Sequence, residues 1–238
     1  MFSINNSLKN MHGKVLSIYE KLYSGFGTQN WWPTTLCGQL EPSYNGLRPD
    51  DKGRFEIATG AILTQNTAWI NVHRAIANLI SLNILSPDGF LNSCKEELKQ
   101  AIKPSGYFNQ KYNKLINLAN WWNDNFKEVK IGSNNNKHIE KIRNSLLAVN
   151  GIGPETADSI LLYAFDMPSF VIDTYTKRIL SRHYGVDMKI KYEELRYIFM
   201  KELPVSTELY KEYHALLVEL GKNHCKKIIC LTSCLLRK

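Results

Sequence analysis

Asp173 stands directly before "TYTKRIL", a run with the composition of a helix. A carboxylate in that place can accept the first backbone N–H groups of the helix as an N-cap. Such bonds favour its charged form, so it stays ionised. An ionised carboxylate is equally what a reaction passing through a cationic centre requires, and both roles are open to Asp173. Twenty residues before it ends the segment Asn150-Gly151-Ile152-Gly153, followed by Pro154. Glycine accepts positive φ and ends helices, whereas proline suits the first turn of a new one. Backbone N–H groups exposed at such a turn suit an anion such as phosphate; an ordinary αα-hairpin would use the same residues. The adjacent indoles of Trp31 and Trp32, followed by Pro33, either anchor a loop or present π-faces for stacking. Three cysteines, Cys225, Cys230 and Cys234, crowd the tail as "CKKIICLTSC".

The elements that must position these groups read as helices. "FEIATGAILTQNTAWINVHRAIANLI" places Phe55, Ala58 and Ile62, then Ile70, Ala75, Ile76 and Leu79, at helical intervals. "SPDGF" is a turn leading into a helix start, and "SCKEELKQAI" is a further helix with Ser93 as its cap and Glu96 three residues on. "NQKYNKLINLANWWNDNF" sets Leu115, Leu118, Ala119 and Trp122 on one face. Helices around 137–149, 154–165, 174–184, 191–202 and 207–222 follow, with no internal repeat and little strand alternation. The expected class is all-α. Residues before 54 are less regular, and "GTQNWWPTTLCGQLEPSYNGLRPDDKGR" reads as a long loop of the kind that carries function.

The chain of 238 residues has room for one large or two small domains, and its 44% hydrophobic content is ordinary for globular proteins. No apolar run suits a membrane span, and the first residues lack the apolar core of a secretory signal. The expectation is a soluble cytoplasmic protein. Five cysteines argue against a secreted disulfide framework. A formal charge of +8 suits a nucleic-acid partner and also suits a merely lysine-rich surface.

Taken together, the hairpin, the spacer and "VIDTYTKRIL" resemble the helix-hairpin-helix, Gly/Pro-rich loop and Asp signature of the endonuclease III superfamily of DNA glycosylases, the HhH-GPD proteins. "GAILTQNT" and "KPSGYFNQKYNKL" resemble further segments of that family, in family order, so that the likeness runs from about residue 54 to 222. It implies two helical domains flanking a DNA-binding cleft. One is a six-helix, barrel-like domain over 55–167 that contains the hairpin; the other joins 1–54 to 168–238 and carries Asp173 as the catalytic residue. It also implies that Gln65 fills the gap left by a flipped nucleotide, with Asn66, Gly151, Gly153, Glu155 and Thr156 at the DNA.

"NWWPTTL", "FEIATGAILTQNTAW" and "KPSGYFNQK" are most similar to the endonuclease III-like 3-methyladenine DNA glycosylases, which makes Trp31, Trp32, Pro33 and Trp69 the expected surroundings of a damaged base. Bifunctional members carry a lysine nucleophile two positions after the second glycine of the hairpin. Glu155 stands there instead and cannot form a Schiff base, which favours a monofunctional enzyme using water. Two rival readings are a bifunctional enzyme for oxidised or mismatched bases and a non-catalytic DNA-binding protein. The family often ends in a four-cysteine loop for a [4Fe–4S] cluster. Here the spacing is C-x4-C-x3-C, with Cys37 and Cys94 remote in sequence. A cluster lacks its fourth thiolate, so free thiols are expected and no metal or cofactor is required. The resemblance admits a monovalent cation at the hairpin. The six histidines show no metal-ligand spacing. The expected partner is duplex DNA with a damaged base, met by a monomer, with no membrane.

Overall fold

The computed structural model describes Met11 and residues 13–237. The chain is all-α. In order, the helices are α1 (Val15–Phe26), α2 (Asp51–Leu63), α3 (Trp69–Ser81), α4 (Pro87–Asn92), α5 (Lys95–Ile102), α6 (Phe108–Asn125), α7 (Asn136–Leu147), α8 (Pro154–Ser159), α9 (Thr174–Tyr184), α10 (Tyr192–Glu202) and α11 (Thr207–Glu219). Single π-helical turns, Ile160–Ala164 and Leu220–His224, continue α8 and α11. Strand among the described residues is confined to β1 (Thr34–Thr35) and β2 (Pro42–Ser43), paired antiparallel with Thr34 opposite Ser43. No helix of the described residues is long and apolar enough to cross a membrane.

Polar caps set the helix starts. Asp50, Ser86, Asn135, Asp173 and Ser206 each accept a backbone N–H three residues ahead, which satisfies a donor the helix itself cannot pair. Ser93, expected to cap α5, does not do so. It closes α4 and donates its hydroxyl to the Phe90 carbonyl, and Cys94 takes the cap position of α5. The helical spacing from 55 to 80 is carried by two helices. Asn66 adopts a left-handed φ of 56°, a conformation asparagine tolerates better than most residues, and this splits the run into α2 and α3. The irregular region before 54 contains α1, the β1–β2 pair and the start of α2.

Contacts divide the chain into two compact units. One unit spans Trp32–Met167 and holds α2 to α8. Its centre is α2, in which every residue from Phe55 to Leu63 is buried. Phe55 packs on Phe90 and Trp122, and Trp122 on Phe126 and Phe165. Residues 32–54 group with this unit rather than with the terminal helices, because Glu56 accepts from Thr35 and Trp32 lies against Gly60. The other unit joins the stretch through Trp31 to the chain from Pro168 onward. Its core stacks Phe170 on Phe199 at 4.4 Å, with Tyr210 and Tyr213 edge-on to Phe170.

Candidate active site

Asp173 occupies the N-cap of α9 and is only 8% exposed. Its Oδ1 accepts from the Thr176 backbone N–H at 2.7 Å and from the Thr176 hydroxyl at 2.8 Å. Its Oδ2 lies 3.7 Å from Nε2 of His214, a buried residue of α11. Burial alone would push the carboxyl up; His214 and the two Thr176 bonds outweigh it and hold the group below the ordinary carboxylate value. The result is a desolvated, ionised carboxylate with one oxygen fixed by the helix it caps.

The tryptophans divide between the units. Trp31 ends the unit that carries Asp173, and Trp32 begins the other. Trp32 meets Trp69 edge to face, with ring centroids 5.4 Å apart at 87°, and leans on Tyr163 at 5.4 Å. Gly60 lets the indole approach α2: an added Cβ there would sit 3.1 Å from its Cζ2. Trp69 opens α3 and is hydrogen-bonded to Tyr44. Trp32, Pro42, Glu56, Gly60, Trp69, His73 and Ile76 line a narrow apolar pocket, while Pro33 is buried beside it in sequence. With their rings in edge contact, Trp32 and Trp69 are not spaced to sandwich a base between them in this conformation, and both are half-buried.

Gln65 joins the hairpin turn. Its amide Nε2 donates to the Gly151 carbonyl at 3.2 Å and to the Thr156 hydroxyl at 3.0 Å, and its Oε1 accepts from Lys114. In this structure its polar end therefore ties the end of α2 to the hairpin. Asn66, the next residue, is exposed. Gly151 has φ of +99°, and an added Cβ would lie 2.3 Å from Lys114 Cγ, so conformation and packing both demand glycine. Gly153 differs: its φ of −93° suits any residue and a Cβ would meet nothing within 4 Å. Glu155 is exposed in the first turn of α8, whereas Thr156 is buried. Beneath the turn, Arg143 of α7 grips Asp158 of α8 with two bonds of 2.8 and 3.0 Å, both side chains buried.

Sequence reading missed four groups. His214 is separated from Asp173 by two helices, and its only signal was a polar residue on an otherwise apolar stretch of α11. Glu56 is buried beside the tryptophans; burial raises its carboxyl despite two bonds of 2.9 Å from Thr35. Lys111 is buried, and desolvation, then Lys114, bring its amine down to about 8. Its ammonium is committed to the Leu63 and Ser105 carbonyls at 2.8 and 2.7 Å. Finally, the tail thiols do not stand alone: Cys225, Cys230 and Cys234 converge on His183.

Comparison with known proteins identifies the family and the fold. The model of the HhH-GPD superfamily of base excision DNA repair proteins matches residues 59–205. The chain is 41% identical to a putative DNA repair glycosylase of Methanocaldococcus jannaschii, over 95% of each chain. It is 30% identical to endonuclease III of Sulfolobus acidocaldarius, covering 77% of this chain and 79% of that one. Among solved structures, the H. pylori 3-methyladenine DNA glycosylase bound to 1,N6-ethenoadenine is similar with a TM-score of 0.66 and 25% identity, over 87% of this chain and 97% of that chain.

Proposed function

The chain belongs to the HhH-GPD superfamily of base excision DNA repair proteins, the endonuclease III-like DNA glycosylases, and on that premise we propose that it is a monofunctional N-glycosylase for alkylated purines. The nucleotide is flipped from the duplex, its base rests against Trp32 and Trp69, and water attacks the sugar to leave an abasic site in an intact strand. Asp173 is the catalytic residue in this reading, stabilising the cationic sugar as the base departs and orienting or deprotonating the water.

The chemistry supports the assignment at each point. An N3- or N7-alkylated purine is cationic, and an indole face attracts cations. The positive base is already a good leaving group, so the enzyme needs extrusion and electrostatic help more than protonation of the base. Asp173 supplies a fixed negative charge where little water screens it. Phosphate held at the hairpin explains Gly153, whose glycine neither its backbone conformation nor its packing requires. The similarity to a 3-methyladenine glycosylase points the same way.

The observation that carries monofunctionality is Glu155, exposed at the place where bifunctional members hold their lysine. The buried amine of Lys111 is not a substitute, being held by two carbonyls. The test is single-turnover excision from duplexes carrying 3-methyladenine, 7-methylguanine or 8-oxoguanine. The expected result is release of the methylated bases, nicking only after alkali, and no borohydride-trapped adduct. Asp173→Asn should lower excision by about 10²–10³-fold, the scale of losing one electrostatic stabiliser, with duplex binding kept. A trapped adduct or an active Asp173→Asn enzyme refutes the reading.

A further inference from the structure

The C-terminal chain folds back onto α9. Cys225 and Cys230 face each other in an antiparallel bridge, and the turn is closed by Leu231 N–H donating to the His224 carbonyl at 2.9 Å. Arg178 and Arg182, one helical turn apart on α9, hold this loop. Arg178 donates to the Gly221 and Cys225 carbonyls and Arg182 to those of Lys226 and Lys227. Between them the loop brings three thiols to the imidazole of His183, in the last turn of α9. The Sγ atoms of Cys225, Cys230 and Cys234 lie 3.5, 3.8 and 3.5 Å from His183 Nε2, and all four ligand atoms fall within 4.8 Å of one another.

These distances discriminate between ligands. A tetrahedral zinc ion about 2.3 Å from sulfur and about 2.0–2.1 Å from imidazole nitrogen sets sulfur and nitrogen roughly 3.5 Å apart. The [4Fe–4S] cluster common in this family does not fit the set. It would hang each ligand from a different iron and ordinarily uses four thiolates, whereas here three thiols and an imidazole surround a single point. The surroundings also suit an ion. Arg182 Nη1 donates to Cys225 Sγ at 3.2 Å, and its positive charge offsets the net negative charge of three thiolates around a divalent cation. Nε2 faces the sulfurs while the Leu236 carbonyl accepts from the same imidazole, the outer-shell bond that typically orients a ligating histidine. Cys225 and Cys234 are buried.

We propose that His183, Cys225, Cys230 and Cys234 bind one tetrahedral divalent ion of the zinc type, which fastens the C-terminal loop to α9. The ion is structural, because four protein ligands leave no open position for substrate. It secures the far end of the helix whose first end is capped by Asp173.

Elemental analysis of the full chain should find one zinc per molecule, with neither iron nor acid-labile sulfide. Exchange with Co²⁺ should give the intense visible bands of tetrahedral cobalt and a sulfur-to-cobalt charge-transfer band. His183→Cys should keep the stoichiometry and move the bands to longer wavelength, showing that the imidazole is a ligand in a chain that still folds. Cys230→Ser should weaken Co²⁺ binding by at least about tenfold. Iron with sulfide, a six-coordinate cobalt spectrum, an unmoved spectrum in His183→Cys, or a chain that binds no metal would each overturn the proposal. None of these readouts depends on excision, so the site and the glycosylase reading stand or fall separately.

Discussion

Asp173 engages Oδ1 in capping α9, while Oδ2 faces His214 at 3.7 Å. Its folded-state acidity is thereby moved below the ordinary carboxylate value. A depressed carboxyl contributes stability that is fully present above the unfolded value of about 3.9 and is lost as pH falls through the lower folded value. Asp173→Asn can still accept the cap bonds but cannot titrate. The melting temperature of the parent should therefore fall more steeply than that of the variant below about pH 4. Thermal melts between pH 3 and 6 provide the check, and parallel curves would remove the carboxylate from the acid transition. The cap itself was legible in the sequence, since Asp173 and Thr176 are three residues apart and such contacts are local. His214 was not, because its meeting with Asp173 depends on how α9 and α11 pack. The same limit hid His183, which lies 42 residues before the first thiol it meets.

At the scale of elements, the hairpin holds two glycines that are alike in sequence and different in structure. Gly151 has φ of +99° and touches Lys114 where a Cβ would stand; Gly153 is extended with open space around it. Gly151→Ala should cost about 1–3 kcal/mol, the scale of a side chain forced into a disfavoured backbone region. Gly153→Ala should cost no more than about 1 kcal/mol, as a change at a cap position, yet should weaken duplex binding because its methyl stands where a phosphate would approach. Urea denaturation and fluorescence anisotropy on both variants separate the effects; a Gly153→Ala protein with unchanged DNA affinity would refute the phosphate contact. Sequence spacing gave the helices on either side, and α9 at 174–184 has the bounds it predicts. The Arg143–Asp158 pair that clamps α7 to α8 was invisible, since a charge on a helix ordinarily reads as a solvated face. The break at Asn66 was not legible either, because one left-handed residue leaves the hydrophobic spacing on both sides intact.

At the scale of the whole molecule, the unit carrying Asp173 is assembled from both ends of the chain. Tyr213 of α11 donates its hydroxyl to the Val15 carbonyl at 2.8 Å and packs its ring on Tyr19, and Gly13 N–H donates to Glu202 at 3.0 Å. Gly25 has no room for a side chain, because an added Cβ would lie 2.2 Å from Leu235 Cδ1. Val15, Ile18 and Leu22, all buried, give α1 an apolar strip, although it lies in the region before 54 that reads as irregular. The strip by itself names no partner, since it could pack against any apolar face. Each of these side chains contributes about 1.5–3 kcal/mol on burial, so α1 supplies a sum comparable with the 5–15 kcal/mol that holds a typical domain together. Deleting residues 1–26 should therefore unfold α9 to α11 and abolish excision, although no residue assigned to base or phosphate contact is removed. Circular dichroism should register a helical loss larger than α1 itself, and amide exchange should rise along α9 and α11. If the shortened chain kept protected α9 amides and excised bases normally, the N-terminal helix would be an ornament on a unit that stands without it, and the placement of Asp173 would need another cause.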